Sequence, residues 1–189
     1  GIRYDLCLSD TGNKEVDKTN RRYLETVIRH HVSGRFKVAP EHCSPTVLGL
    51  MRKPAFGLFQ QLKSIFDEIN RKHRLNEQII PYFISSHPGC RPEDMAKLAV
   101  ATKTLDFKLE QVQDFTPTPM TVATTIYYSG YHPYSLQKID TAKSEKEKKQ
   151  QNMFFFWYKR EFREQIMTLL RRIHRADLIP KLYGKEREK

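Results

Sequence analysis

Apolar and polar positions along the chain recur with two periods. Three short runs have β character. RFKVA (35–39) mixes basic and apolar residues and ends at Pro40. QIIPYFIS (78–85) is apolar with β-branched and aromatic residues. QVQDF (111–115) alternates, with Val112 and Asp114 on one face and Gln111, Gln113 and Phe115 on the other. Each run ends in Pro or Gly punctuation (PEH, SHPG, TPTP), as strands do where the chain must turn. Between them the period becomes helical. Leu24, Val27, Ile28 and His31 fall at i, i+3, i+4, i+7. Phe59, Leu62, Phe66 and Ile69 keep that stripe with Ile65 beside it, and Met95, Leu98, Ala99 and Thr102 repeat it. Ser44-Pro45 and Arg91-Pro92-Glu93-Asp94 are helix starts, one by N-cap and Pro at N1, the other by Pro and first-turn acids. The order is strand–helix three times behind an extended GIRYD. That order predicts an α/β protein with a parallel sheet.

The character changes near residue 120. TVATTIYYSGYHPYS (121–135) reads as a connector that packs through its aromatics. SEKEKKQQNMFFFWYKREFREQIMTLLRRI (144–173) reads as one long helical stretch, opened by a Ser144/Glu147 capping box. Its stripe runs Phe155, Tyr158, Phe162, Ile166, Leu169, Ile173. MFFFWY (153–158) is too apolar for a free surface, so it must pack on the body or on a partner.

Charge sharpens the division. The 189 residues carry a net +11. Residues 141–189 hold 14 Lys and Arg against 7 Asp and Glu, leaving 19 against 15 for residues 1–140. A basic tail suits nucleic acid, and Lys146, Lys148, Lys149, Lys159, Arg160, Arg163, Arg171 and Arg172 are interleaved with aromatics that can stack on bases. Solvated helix faces account for the same charges. No apolar run approaches the roughly 20 residues of a membrane span, so no membrane role is expected. Three scattered cysteines, Cys7, Cys43 and Cys90, make no disulfide framework and read as reduced cytoplasmic thiols. The opening at Gly1 suggests a fragment of a longer protein.

In open α/β sheets and barrels, sites collect at the C-terminal ends of strands. Four polar clusters meet that rule: Arg3-Tyr4-Asp5, Pro40-Glu41-His42-Cys43, Ser85-Ser86-His87-Pro88-Gly89-Cys90 and Phe115-Thr116-Pro117-Thr118-Pro119. They form either a shared site or ordinary turns, which favour the same residues. His42-Cys43 with His87-x-x-Cys90 offers four zinc-type donors, but the side chains of sequence neighbours diverge. A Cys–His catalytic pair draws on the same residues. No G-x-x-x-x-G-K, G-x-G-x-x-G or H-E-x-x-H occurs.

The four clusters also carry a family resemblance. GIRYDL, HHVSGRFKVAPEHCSPTVLGLMRKP, IIPYFISSHPGCRPEDM and QVQDFTPTPMTVATTIYYSGYHPY resemble the second half of the YgiQ-type radical SAM proteins, over nearly the whole chain. More loosely, PEHCSPTVLGLM, SSHPGCRPEDM and FTPTPMTVA are similar to the fourth-, fifth- and sixth-strand turns of methylthiotransferase-type barrels. The resemblance implies a partial parallel (β/α) barrel fragment of radical SAM type over 1–120. It also implies a basic, mostly helical C-terminal extension over 121–189. The family binds S-adenosylmethionine and a [4Fe-4S] cluster held by C-x-x-x-C-x-x-C. That motif is absent here, since the cysteines are 36 and 47 residues apart and cluster ligands must be grouped. The resemblance therefore implies a radical SAM oxidoreductase, substrate unknown, of which this chain supplies the half lacking the cluster. The chain alone is expected to be inactive, with the missing N-terminal half as its partner and a truncated sheet edge open to self-association.

By the same resemblance, Glu41 would face the ribose or amino group of S-adenosylmethionine. Lys53, beside Arg52, would meet its carboxylate. Ser85, Ser86 and His87 would pack on adenine, and Thr116 and Thr118 would bond the adenine edge. Arg3 would reach in from the third strand. No metal ligand is implied within this chain. A basic nucleic-acid (tRNA-like) binding module is the alternative reading.

Overall fold

The computed structural model describes residues 2–110 and 112–184; Gly1, Gln111 of the third β-like run and the last five residues of the basic tail lie outside them. In chain order the elements are α1 (Tyr4–Leu8), α2 (Lys14–His30), β1 (Arg35–Glu41), α3 (Pro45–Leu50), α4 (Phe56–His73), β2 (Gln78–Ser85), α5 (Pro92–Thr104), β3 (Val112–Asp114), α6 (Val122–Ser129), α7 (Glu145–Asn152), α8 (Arg160–Arg172) and α9 (Ile179–Tyr183). The strands form a small parallel sheet in the order β1-β2-β3, with Phe83 of β2 opposite Val112 and Ser85 opposite Asp114. The three β-like runs of the sequence hold the three strands, but β1 does not stop at Pro40: it runs through it to Glu41, and β3 keeps only Val112–Asp114 of its run.

Two compact units divide the chain: residues 1–40 with 54–82, and residues 41–53 with 83–189. The first unit is built on the predicted stripes. Leu24 and Ile28 of α2 are buried, as are Phe59, Leu62, Ile65, Phe66 and Ile69 of α4. Phe36 of β1 stacks on Phe66 at 5.7 Å, and Tyr4 meets Phe59 edge-on at 6.4 Å. Asn13 caps α2 through its side-chain oxygen, which accepts the Glu15 amide at 3.0 Å. The front segment differs from the extended run expected of it. Residues 4–8 are a helical turn, because burying Tyr4 against Phe59 needs that face, and Asp5 supplies a first-turn acid.

The second unit buries Met95, Leu98, Ala99 and Thr102 of α5 together with Phe154, Phe155, Ile166 and Leu170. The Ser144/Glu147 capping box is present: Ser144 Oγ accepts the Glu147 amide, and Glu147 Oε2 accepts the Ser144 amide at 2.9 Å. The long helix expected after it is broken. Met153, Phe154 and Phe155 are consecutive and all buried. The chain tightens into a 3-10 turn over Met153–Phe156 and then breaks at Lys159, whose extended backbone N-caps α8. The Thr/Tyr-rich connector differs too: it contains α6, and of its four tyrosines only Tyr127 is buried, while Tyr128, Tyr131 and Tyr134 are exposed. Gly130, at φ +77°, ends α6 after eight residues, and the following turn closes on its own backbone through the Tyr131–Lys138 bridge.

Candidate functional site

A cavity of about 500 Å³ lies in the second unit at the C-terminal ends of the three strands. Its wall combines Glu41 from β1, Arg52 and Lys53 after α3, Ile84 and His87 from the β2 end, and Asp114, Phe115, Thr116 and Thr118 from the β3 end. Two turn residues on this wall, Glu41 and Arg52, hold left-handed φ angles of 65° and 53°, and Ser86, between Ile84 and His87, holds 60°. Such φ values cost free energy in any residue with a Cβ. Arg74, Asp106, Met120, Leu136 and His174 share them without lining the cavity, and that of Arg52 closes the end of α3, where its amide donates to the Gly49 carbonyl.

Five of the eight residues named from the sequence line this cavity: Glu41, Lys53, His87, Thr116 and Thr118. Lys53 Nζ sits 3.1 Å from Glu41 Oε1, so the cavity mouth presents a cation and an anion side by side. His87 is buried, and its Nδ1 lies 2.9 Å from the Pro88 carbonyl. A carbonyl only accepts, so Nδ1 carries the proton and the neutral ring keeps Nε2 as an acceptor. Burial holds the His87 pKa below its ordinary value, which favours that neutral form. Its ring meets Phe115 edge-on at 5.0 Å. Thr118 shapes the turn into α6: its carbonyl accepts the hydroxyls of Thr121 and Thr124, and Thr121 caps that helix.

The other three stand elsewhere. Ser85 and Ser86 are fully buried. The Ser85 hydroxyl donates to Asp114 Oδ1, and the Ser86 amide donates to Gln151 Oε1 at 2.8 Å. Arg3 belongs to the first unit, where its guanidinium pairs with Asp5 at 2.8 and 2.5 Å. The sequence reading did not single out Asp114, Gln151 or Asn152. Asp114 lines the cavity, and its Oδ1 also accepts Asn152 Nδ2 at 3.0 Å. No periodic signal marks these residues; the only clue was an acid ending an otherwise apolar strand face.

Of the four residues shared by the zinc and the Cys–His readings, His42 and Cys90 do meet. Cys90 Sγ is 3.5 Å from His42 Nε2. The Ser44 amide donates to His42 Nδ1 at 2.9 Å, which leaves the ring proton on Nε2 facing sulfur. Cys90 in turn faces the Arg91 carbonyl. This relay is satisfied with a neutral ring and a neutral thiol. Burial lowers the His42 pKa to about 4, and it raises the Cys43 thiol to about 12 and the Cys90 thiol further. A nucleophilic pair needs the opposite, a thiolate beside a basic nitrogen. Among the described residues no three His, Cys, Asp or Glu side chains are grouped to hold a metal ion.

The tail cations are mostly occupied within the chain. Lys148 lies over Tyr127, Lys159 over Phe156 and Arg163 over Tyr183; Lys149 pairs with Glu145, and Arg172 donates to Gln150. Among the described residues no helix is long and apolar enough to cross a membrane.

Residues 110–186 match a family model described as a domain of unknown function, DUF3362. The chain is 60% identical to a UPF0313 protein of Bacteroides thetaiotaomicron, over 98% of this chain and 30% of that one. It is 58% identical to a UPF0313 protein of Porphyromonas gingivalis, over 98% of this chain and 29% of the other. A UPF0313 protein of Methanocella arvoryzae is 39% identical over 95% of this chain and 28% of its own length. The chain thus matches UPF0313 proteins over nearly its full length, and spans less than a third of the curated relatives it matches.

Proposed function

We propose that this chain supplies part of the S-adenosylmethionine-binding face of a radical SAM iron–sulfur protein, whose cluster is held by a segment outside it. The observation that carries the reading is the convergence of Glu41, Lys53, His87, Thr116 and Thr118 on one strand-end cavity. The match to UPF0313 proteins, a family of radical SAM type, supports it. In this reading residues 1–120 are the second half of a (β/α) barrel, residues 121–189 are its extension, and the partner is the N-terminal half. No observation favours the nucleic-acid reading beyond net charge.

The donor set fits the ligand. A cavity of this size holds a nucleoside-sized molecule. Lys53 would meet the ligand's carboxylate, and Glu41 its ammonium or ribose hydroxyls. The bare Nε2 of His87 is an acceptor for an amine, and Phe115 offers an apolar edge. The donor set does not fit the cluster: Cys43 and Cys90 are held as neutral thiols, and Cys7 belongs to the other unit. Bound S-adenosylmethionine would supply an organic radical on reductive cleavage; this chain's residues bind and orient it.

The test is anaerobic reconstitution with iron and sulfide, then reductant and S-adenosylmethionine, on this chain and on one extended upstream. The extended chain is expected to carry C-x-x-x-C-x-x-C and release 5′-deoxyadenosine, and this one is expected to release none. An extended chain without that motif, or 5′-deoxyadenosine from this chain alone, would overturn the reading.

A further inference from the structure

We infer that Gln151 and Asn152, at the C-terminal end of α7, are positioning residues that hold the two loops forming the cavity wall. The claim that this wall binds S-adenosylmethionine rests on the reading above; the claim that these two residues hold it does not.

Gln151 is 3% exposed, although it belongs to the polar run EKEKKQQN. Its side-chain amide spans one loop. Oε1 accepts the Ser86 amide at 2.8 Å, and Nε2 donates to the Cys90 carbonyl at 2.9 Å. Ser86 and Cys90 flank His87, so one side chain fixes both ends of the segment presenting that imidazole. Only a primary amide has the adjacent acceptor and donor that a backbone N–H and a backbone C=O require. The clamp also restrains Ser86, which stands at φ 60°, a conformation a serine leaves readily unless it is held.

Asn152 does the same for the next strand. Its Nδ2 and the Ser85 hydroxyl both donate to Asp114 Oδ1. Two donors on one oxygen fix the carboxylate's rotation. Oδ2 has no hydrogen-bond partner among the described residues, and Asp114 lines the cavity. The carboxylate therefore presents Oδ2 as a preset acceptor to an N–H or O–H of whatever occupies the space. Consecutive residues of one helix thus reach the ends of β2 and β3, and α7 lies within the 110–186 segment matched by the family model. That segment completes the cavity rather than merely following it.

The experiment compares the full chain with Gln151→Glu, Asn152→Ala and a control, Gln150→Glu, whose side chain bonds Arg172 and neither loop. S-adenosylhomocysteine binding is followed by calorimetry, thermal unfolding by circular dichroism, and hydrogen exchange at the Ser86 and Phe115 amides by NMR. Gln151→Glu removes the donor to Cys90 and sets a carboxylate against a carbonyl. Expected is a Kd raised about tenfold or more, as for loss of a buried hydrogen-bond partner. Exchange should accelerate at Ser86 and not at α8 amides, and the control should match the parent. Should Gln151→Glu fail to fold, Asn152→Ala, half-buried and smaller in effect, decides alone. Folded variants with unchanged Kd and unchanged exchange would overturn the inference. If the parent chain does not bind S-adenosylhomocysteine, the reading of the cavity falls. The exchange data then still decide the inference: local acceleration upholds it, and parent-like exchange overturns it.

Discussion

The two units are stabilised by different means. The first, residues 1–40 with 54–82, buries aliphatic and aromatic side chains: Leu24, Ile28, Phe36, Phe59, Leu62 and Phe66 among them. Among the described residues none of the buried polar residues belongs to it, and its one buried unpartnered polar atom there is the side-chain oxygen of the half-buried Asn70. His42, Ser44, Ser85, Ser86, His87, Thr102 and Gln151 are all in the second unit. Apolar packing tolerates many arrangements of similar volume, whereas a buried polar group must have its partner or cost free energy. The first unit is therefore organised for stability. The second holds turn segments in defined places through directional bonds, which is what a binding wall requires. Two buried hydroxyls there have no hydrogen-bond partner among the described residues, those of Ser86 and Tyr183, and Ser86 holds a left-handed φ in the turn at the end of β2.

The sharpest test of the contrast is truncation of the first core. Phe66, 1% exposed and stacked on Phe36, should cost about 3–5 kcal/mol as Phe66→Ala, read from urea unfolding. A loss below about 1 kcal/mol would mean that this core does not carry the stability assigned to it.

Acid should act on the second unit. The His42 pKa falls from 6.5 to about 4 in the native state, first by burial. Between those values the unfolded chain binds a proton that the native one refuses. Stability is then full above pH 6.5 and falls by up to about 3 kcal/mol as pH drops towards 4. His87, lowered by burial too, adds in the same direction. Urea midpoints from pH 7.5 to 4.5 should slope accordingly, and His42→Gln should flatten the slope; an equal slope in parent and variant would exclude His42 as the source.

Gly89 comes next. It stands at φ +82°, and a Cβ there would run into Leu50 Cδ1, a side chain of the cavity wall. Gly89→Ala should cost about 1–2 kcal/mol in thermal unfolding, since the left-handed backbone alone carries that penalty. The smallest effect is expected at Tyr134, exposed on the turn after α6. Tyr134→Ser should shift stability by no more than about 0.5 kcal/mol, and a larger loss would mean that the connector packs after all.

How much was legible follows from what each signal encodes. The strand at 78–85 and the stripe Phe59, Leu62, Ile65, Phe66, Ile69 were readable because burying one face imposes a period, and a period is local. The helix starts at Pro45, Pro92 and Glu145 were readable for the same reason, since Pro at N1, first-turn acids and caps act within a few residues; Ser44 stands at the N-cap of α3 but makes no side-chain capping bond. Residues 153–158 were misread because their apolarity announces burial without saying in which direction each side chain must point. Tyr128, Tyr131 and Tyr134 were misread because an aromatic residue carries no mark of whether a neighbour exists to cover it.

At the site, the amino-acid sequence by itself determined where polar turns would fall, since Pro or Gly stands within a few residues of the end of each strand. Parallel strands separated by helices bring such ends to one side, and Glu41, Lys53, His87, Thr116 and Thr118 met there. Only the tertiary structure decided that His42 and Cys90 form a closed neutral relay, that Ser85 turns to Asp114, and that Gln151 and Asn152 reach back across 65 and 38 positions of chain. The physical reason is that a hydrogen bond between distant residues leaves no periodic trace. A glutamine clamping a loop and a glutamine in water read alike until the fold supplies the partner, and the partner removes the water.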